Sequence, residues 1–464
     1  MLQEIEKKNA PKIALVLLNP QYIRSWIDSE LVAELIFDNQ IDVTIFAPLN
    51  VLERIKEYDC VEMKLIQSTV HSRASKHLVA MNWIAKRNRS STFRFALKRT
   101  FFTDYKLFAF RRGRNGFIDQ GVKNLKTIAF NVVQKRLVIM YFFRPFRMLK
   151  ATFKRQLDSQ QRLPDGVVGG GFDLLIIPCH AVNELITDYL ASAKKIGLKS
   201  LIAIDNWDNL TSKSVFVVQP DYLTVMGERC IEHAVEIHSI DASKVLPFGL
   251  PRFDTYRKGL PVSRKSELES KIEILYAGFS LPHAEIAVVN ELWNGLKNHF
   301  PKLEIRFVYR PHPIPIPRID GVKEVLPDVV TTLHGKLDRT NMPKMDEDYL
   351  LSMLNADVVV GAPTTMVFEA MILGRPCIID GTSDQFHRTN SATAIQNYTH
   401  MRDLLTVSNL PIASNVEEIL GHLVAIIEQK VRIVEYEMDH LYDKKQPTYS
   451  TQLKEFLIDI DSGI

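Results

Sequence analysis

The sequence predicts an α/β fold in which two parallel sheets, each covered by helices on both faces, form two similar halves with a cleft between them. Three observations carry this reading. Short apolar, β-branched runs alternate with longer amphipathic stretches along most of the 464 residues. Several of the runs, among them Ile13–Leu18, Val358–Val360 and Cys377–Ile379, are apolar throughout, as strands buried on both faces are. The alternation also starts twice, at Ile13 and at Ile272, on either side of a polar link over Arg257–Ser270. A chain of this length is expected to hold two domains. These are placed at 1–256 and 257–430, with a helical tail over 431–464 that could pack back on the first domain.

In the first half, Ile13–Leu18 reads as a buried strand ending at Asn19-Pro20, followed by a helix from about Ser25 to Asp38 and a strand over Ile41–Phe46. Residues 73–162 interrupt the alternation with basic, mostly helical sequence. Gly169-Gly170-Gly171 marks the return. Strands follow at Phe172–Pro178 and Ser200–Ile204, with a helix from Asn183 to Ile196 between them. Tyr222–Val225 and Val245–Phe248 complete the series. In the second half, strands are expected at Ile272–Ala277 and Ile305–Tyr309, with helices at His283–Phe300 and Asp346–Leu354. Val358–Val360 and Cys377–Ile379 are two further buried strands around the apolar helix Met366–Leu373, and Val416–Tyr442 reads as one long amphipathic helix.

The net charge of +4 conceals an asymmetry. Residues 73–162 hold 22 Lys or Arg against 3 acids, a balance of +19 that leaves the rest of the chain at −15. Aromatic side chains interleave with those cations, as on an anionic membrane surface, where each Lys or Arg is worth about 1 kcal/mol. A solvated basic face over an ordinary core has the same composition. Nucleic acid is not expected, because no nucleic-acid module is visible and the acidic remainder would repel phosphates. Cys60, Cys179, Cys230 and Cys377 are scattered with no Cys-x-x-Cys pair, which fits a reducing compartment and disfavours a zinc ribbon. The N-terminus lacks a secretion-signal core, and the longest apolar run in the middle of the chain, Leu137–Phe143, is seven residues, against ~20 for a bilayer span. The expected location is the cytoplasm, peripheral on the inner face of the cell membrane.

Ligands of such sheets sit beyond the carboxyl ends of the strands. Thr364 or Thr365 would cap the helix after Val358–Val360, whose free N–H groups suit an anion. Glu369 follows Thr365 by four residues, about 6 Å along the axis on the same face, and suits a diol such as ribose. A βαβ crossover with Glu369 bonded to backbone is the plainer alternative. Arg310 and His312 lie among prolines on a stiff platform fit for a phosphate, and His312 could protonate a leaving phosphate. Gly278, Ser280 and His283 open the first helix of the second half and form a second candidate anion site. Arg252 could reach a phosphate or pair with Asp254. The loop Asp205–Lys213 is dense in hydrogen-bonding groups. Trp207 offers a stacking face, Asn209 and Asn19 polar contacts to an acceptor, and Asp205 or Asp208 a base. Asx turns and a helix cap would use some of the same residues. No metal-ligand spacing is convincing, so neither metal nor other cofactor is expected.

Arg310-Pro-His-Pro313, Pro363-Thr-Thr365 and Glu369-Ala with Gly374-Arg-Pro376 resemble motifs of the GT-B superfamily of glycosyltransferases. The likeness is narrower with the bacterial surface-polysaccharide branch, which includes CDP-glycerol glycerophosphotransferases, Kdo transferases and sialyltransferases with a His-Pro motif. It covers about 12–430 apart from the basic insertion. The resemblance implies two Rossmann-like domains, a donor nucleotide held by the C-terminal one and an acceptor facing the N-terminal one. It also implies donor phosphates on His312, Thr364 and Thr365, and ribose on Glu369. The expected function is a metal-independent transfer of a sugar from a nucleotide-activated donor to a glycan or lipid-linked acceptor of capsule, O-antigen or teichoic-acid type. The alternatives are a CDP-alditol phosphotransferase, a UDP-sugar 2-epimerase and a non-catalytic nucleotide-sugar-binding scaffold.

Overall fold

The computed structural model describes residues 10–37, 40–56, 58, 61–86, 89–90, 92, 144–213, 215–257, 271–279, 284–312, 326–331, 347–383 and 390–461. The chain divides into two compact units. One is drawn from Met1–Lys86, Met140–Lys258 and His440–Ile464, the other from Arg87–Ile139 and Gly259–Asp439.

The first unit is built on a parallel sheet of β1 (Lys12–Val16), β2 (Asp42–Ala47), β3 (Glu62–Leu65), β4 (Leu174–Cys179), β5 (Lys199–Ile204), β6 (Tyr222–Thr224) and β7 (Val245–Leu246). Their spatial order is β3-β2-β1-β4-β5-β6-β7, and every ladder is parallel. The apolar runs explain the arrangement. After its first residue β1 is buried throughout, and β4 is buried at all six positions, so both need cover on two faces. On one face Ile13, Leu15 and Ile176 pack with Trp26, Leu31, Tyr449 and Leu453.

The second unit repeats the logic with β8 (Ile272–Ala277), β9 (Ile305–Arg310), β10 (Val330–Thr331), β11 (Val358–Gly361), β12 (Cys377–Asp380) and β13 (Ile412–Ala413). The order is β10-β9-β8-β11-β12-β13, again all parallel. Its core joins Ile274, Phe307, Val358 and Val360 to Val289 and Leu292 of helix Glu285–His299 and Leu423 of helix Val416–Glu428.

Two helices depart from the sequence expectation. The helix expected over Ser25–Asp38 is interrupted. A turn at Gln21–Ile23 runs into a π-helix at Arg24–Asp28, and Glu30, in the left-handed region at φ 65°, precedes a separate helix at Leu31–Ile36. Ser29 Oγ donates to the Ser25 carbonyl at 2.6 Å, drawing that carbonyl into a side-chain bond. The helix expected over Val416–Tyr442 stops at Glu428. Lys430 adopts φ 54°, and the Val431 amide bonds back to the Ile426 carbonyl at 3.1 Å, a left-handed helix stop.

Of the basic segment, helices Arg73–Lys86 and Arg144–Ser159 are described. They pack on each other and on Ala191 through Ala74, Leu78 and Leu157. The Ser90 and Thr399 hydroxyls pair at 3.3 Å, and the Thr399 amide donates to Thr92 Oγ1 at 2.9 Å. Among the described residues no helix is long and apolar enough to cross a membrane.

Candidate functional site

Each sheet reverses its strand order at one place, and polar residues gather there. In the second unit the order runs from β8 to β9 on one side and to β11 on the other, so the switch lies between β8 and β11. Gly278 follows β8, and its amide donates to the Arg310 carbonyl at 2.8 Å. Arg310 and His312, at the end of β9, are both half-buried. Glu285 is buried beneath this loop, accepting the Phe279 amide at 2.5 Å and the Tyr309 hydroxyl at 2.7 Å. Asp380, wholly buried, accepts the Tyr276 hydroxyl at 2.5 Å and the Thr382 amide at 2.9 Å. These carboxylates brace the strand ends from within.

The turn after β11 leads into helix Thr365–Ile372. Thr364 occupies the N-cap position with an extended backbone, yet its side chain makes no cap hydrogen bond. Its buried hydroxyl has no hydrogen-bond partner among the described residues. The expectation that Thr364 or Thr365 caps this helix holds for the position of Thr364 but not for a side-chain bond, which leaves the first turn without a side-chain cap among the described residues. Thr365 is the first helical residue and is half-buried. Glu369, one turn further, is 1% exposed, so the surface of the helix is presented by its two threonines and not by that carboxylate. Ser280 and His283 lie outside the described residues.

In the first unit the switch lies between β1 and β4. Asn19 follows β1, half-buried, and its Oδ1 accepts the Gln21 amide at 3.1 Å, an Asx turn that starts the next helix. Gln21 and Tyr22 then meet His180, which follows β4. At the end of β5, Asp205 Oδ1 accepts Ser25 Oγ at 3.0 Å and faces Arg252 Nη1 at 3.4 Å. Arg252 also donates to the Asp205 carbonyl at 2.5 Å and to Asn206 Oδ1 at 2.6 Å. Burial is the larger influence on Asp205 and pushes its carboxyl above the usual range, with Arg252 and Ser25 opposing. Asp208 is paired with Lys213 at 3.1 Å and bonded by Ser212 Oγ at 2.8 Å.

Three expectations change here. Arg252 is buried and directs its guanidinium at the 205–206 loop of its own unit, donating to the Asp205 carbonyl and to Asn206 Oδ1. Asp254 accepts the Tyr449 and Ser450 amides at 2.8 and 3.0 Å, at the start of helix Tyr449–Asp461. Trp207, at 4% exposure, has no open face on which a sugar could stack. Asn209 is wholly buried, its Nδ2 3.4 Å from the Cys179 carbonyl. The structure thus brings Asp205 and Asn19 to one strand-end region, together with Gln21, Tyr22, Ser25 and His180, which the sequence reading passed over. One signal was available: His180 directly follows a buried strand.

The sequence matches no protein-family model and no curated protein. Solved structures share its fold. A UDP-N-acetylglucosamine 2-epimerase superposes with a TM-score of 0.50 at 10% identity, over 98% of this chain and 97% of that one. The UDP-GlcNAc 2-epimerase of Neisseria meningitidis bound to UDP-GlcNAc gives 0.48 at 10% identity, over 97% and 100%. MurG of Acinetobacter baumannii gives 0.41 at 12%, over 98% and 100%. At such identities the likeness concerns the fold alone. It agrees with the two parallel sheets: the chain has a GT-B-like fold built of two Rossmann-like domains.

Proposed function

We propose that the chain is a glycosyltransferase that carries a sugar from a nucleotide-activated donor to a surface-glycan acceptor without a metal ion. The observation that carries this reading is the start of helix Thr365–Ile372, where, among the described residues, the Thr364 hydroxyl is buried and unbonded and no side chain caps the helix. Leaving a buried hydroxyl unbonded costs about 1–3 kcal/mol. A phosphate would satisfy it, together with the free helix N–H groups. Arg310 and His312 supply further donors beyond β9, and Gly278 lets the loop that carries His312 close against the end of β8. These groups would offset the charge of the departing nucleotide, so a chelator should leave turnover unchanged.

The acceptor falls to the first unit, with Asp205 as the base. Asp208 is held by Lys213. The burial of Asp205 instead raises its proton affinity, and its Oδ2 makes no hydrogen bond among the described residues. Residues 73–162 are assigned to the inner face of an anionic membrane. In support, helix Arg144–Ser159 leaves Met148 and Leu149 exposed beside the exposed Arg147, Lys154 and Arg155. Salt-sensitive pelleting with anionic liposomes tests this assignment, and its absence at low salt removes it.

The deciding experiment is a melting-temperature panel with CMP, CDP, UDP and GDP, UDP being suggested by the name of the epimerase neighbour. A nucleotide at a hundredfold its Kd stabilises by about 2.7 kcal/mol. Thr364→Val should shrink that shift. A panel with no shift at all overturns the reading. UDP-sugar turnover without any acceptor would favour an epimerase instead.

A further inference from the structure

The turn Gly374-Arg375-Pro376 joins helix Thr365–Ile372 to β12 and so lies at the amino end of that strand, the opposite end of the sheet from Thr364. Hydrogen bonds fix its backbone. Arg375 N bonds to the Ala370 carbonyl at 3.0 Å, and Val434 N to the Gly374 carbonyl at 2.8 Å. The Arg375 carbonyl accepts the Tyr436 hydroxyl at 2.9 Å and Cys377 Sγ at 3.2 Å. The strap over 431–439 therefore runs along this turn and brings Arg432 to it. Arg432 pairs with Asp357, the residue before β11; the arginine side chain is 56% exposed and that of Asp357 10%. Asp357 Oδ2 accepts the Glu273 amide at 2.7 Å and Oδ1 accepts Arg432 Nη1, so both carboxylate oxygens are engaged. Arg375 is half-buried, and its Nε is buried with no hydrogen-bond partner among the described residues. Burial does most to weaken its hold on its proton; Asp357 and Cys377 oppose this, while Arg432 adds to it.

Two guanidiniums thus share one carboxylate. Nearby acids have cations of their own: Glu273 faces Arg306 at 2.6 Å, and Glu304 faces Lys271 at 2.6 Å. We propose that Arg375 and Arg432 form a binding site for a phosphate group at the amino ends of β11 and β12. A buried guanidinium N–H left unbonded is costly, and an oxyanion removes that cost while offsetting the second cation. The choice of anion follows from the number of its oxygens. A carboxylate has two, which a single guanidinium fork fills. A phosphate has a third, so it can take Arg375 through Nε and Nη and still accept from Arg432. Nothing in this site depends on the transferase reading.

Full-length protein with isotope-labelled arginine tests this through the Nε–Hε signals of Arg375 and Arg432, each identified by its loss in Arg375→Gln or Arg432→Gln. Inorganic phosphate, titrated at constant ionic strength against chloride, should move both signals along one saturating curve. Arg375→Lys keeps the charge without the fork, so phosphate affinity read from the Arg432 signal should fall about 10–100-fold. Short-chain phosphatidic acid is titrated separately. Equal affinity marks a free phosphate as the ligand and a preference for the phosphatidate marks a lipid headgroup; both support the site. No movement with either probe overturns it, as does equal movement with chloride, acetate binding as tight as phosphate, or an unchanged affinity in Arg375→Lys. Thr364→Val should leave this binding intact, and Arg375→Gln should keep the nucleotide-induced rise in melting temperature. The two readings of the second unit therefore fail separately.

Discussion

A methyl group placed on Gly278 would stand 2.7 Å from the His312 amide nitrogen and 2.9 Å from both Pro311 Cα and Glu285 Oε2. Backbone on one side and a braced carboxylate on the other leave little to give. Gly278→Ala should therefore cost about 1–3 kcal/mol, as overpacking does, and should weaken any nucleotide-induced rise in melting temperature by displacing the His312 loop. Gly421 is the control. It lies in helix Val416–Glu428 with nothing within 4 Å of an added methyl, so Gly421→Ala should gain about 0.5–1 kcal/mol. Equal melting temperatures for Gly278→Ala and the parent would contradict the close approach. His180 supplies a pH dependence with a definite sign. Its folded pKa lies below 6.5, so the stability it contributes is complete above 6.5 and declines as pH falls through the folded value. The buried Asp205 acts oppositely, since its raised pKa lends stability that is lost as pH rises through that value. Melting curves of the parent and His180→Asn across this range separate the two: the acid-side loss should be smaller in the variant. Gly278 and the Thr364 pair were legible as strand-end punctuation. His180 was not, because its partners Gln21 and Tyr22 are some 160 residues away in sequence and meet it only once β1 and β4 are neighbours.

At the scale of elements, what could be read depended on how much sequence each signal spans. β4, β5, β8, β11 and β12 announce themselves, since a strand buried on both faces needs a mainly apolar run. Helix ends are set by one or two residues whose backbone conformation composition does not reveal. The amphipathic pattern continues past Glu428, yet the chain turns at Lys430, where Lys430 N bonds to the Ile427 carbonyl at 3.2 Å and Val431 N to that of Ile426 at 3.1 Å. Beyond it the strap serves another purpose: Val434 N bonds to the Gly374 carbonyl at 2.8 Å, and the Tyr436 hydroxyl donates to the Arg375 carbonyl at 2.9 Å. Lys430→Gly removes the strain of a side chain at positive φ and should stabilise the second unit by about 0.5–1 kcal/mol. Lys430→Val should destabilise it, because a β-branched side chain resists that region. Thermal or urea melts of the pair check this, and the reverse order would show that the turn is not a left-handed stop.

For the whole molecule, the order of strands within each sheet was not in the sequence, whereas the existence of two parallel sheets was. Parallel pairing requires crossovers, and the restart at Ile272 marks the second series. Nothing local says that the chain, after leaving the second unit at Asp439, completes the core of the first. Tyr449, Leu453 and Leu457 of the final helix are each at most 1% exposed and pack in the cluster that holds Trp26, Leu31 and Leu35. The Tyr449 hydroxyl meets Thr224 Oγ1 at 2.8 Å, and Gly227 has no Cβ because the Leu441 carbonyl would stand 2.2 Å from one. Full burial of such side chains contributes about 1.5–3 kcal/mol each, so the three together contribute about 5–9 kcal/mol. That is of the order of the total stability of a domain, about 5–15 kcal/mol. Removing His440–Ile464 should therefore leave the first unit unable to hold its fold. The expected result is loss of its melting transition, with aggregation through the uncovered face of β1. A truncated protein that stays soluble and melts within about 2 °C of the full chain would mean that the last helix decorates the first unit without completing it.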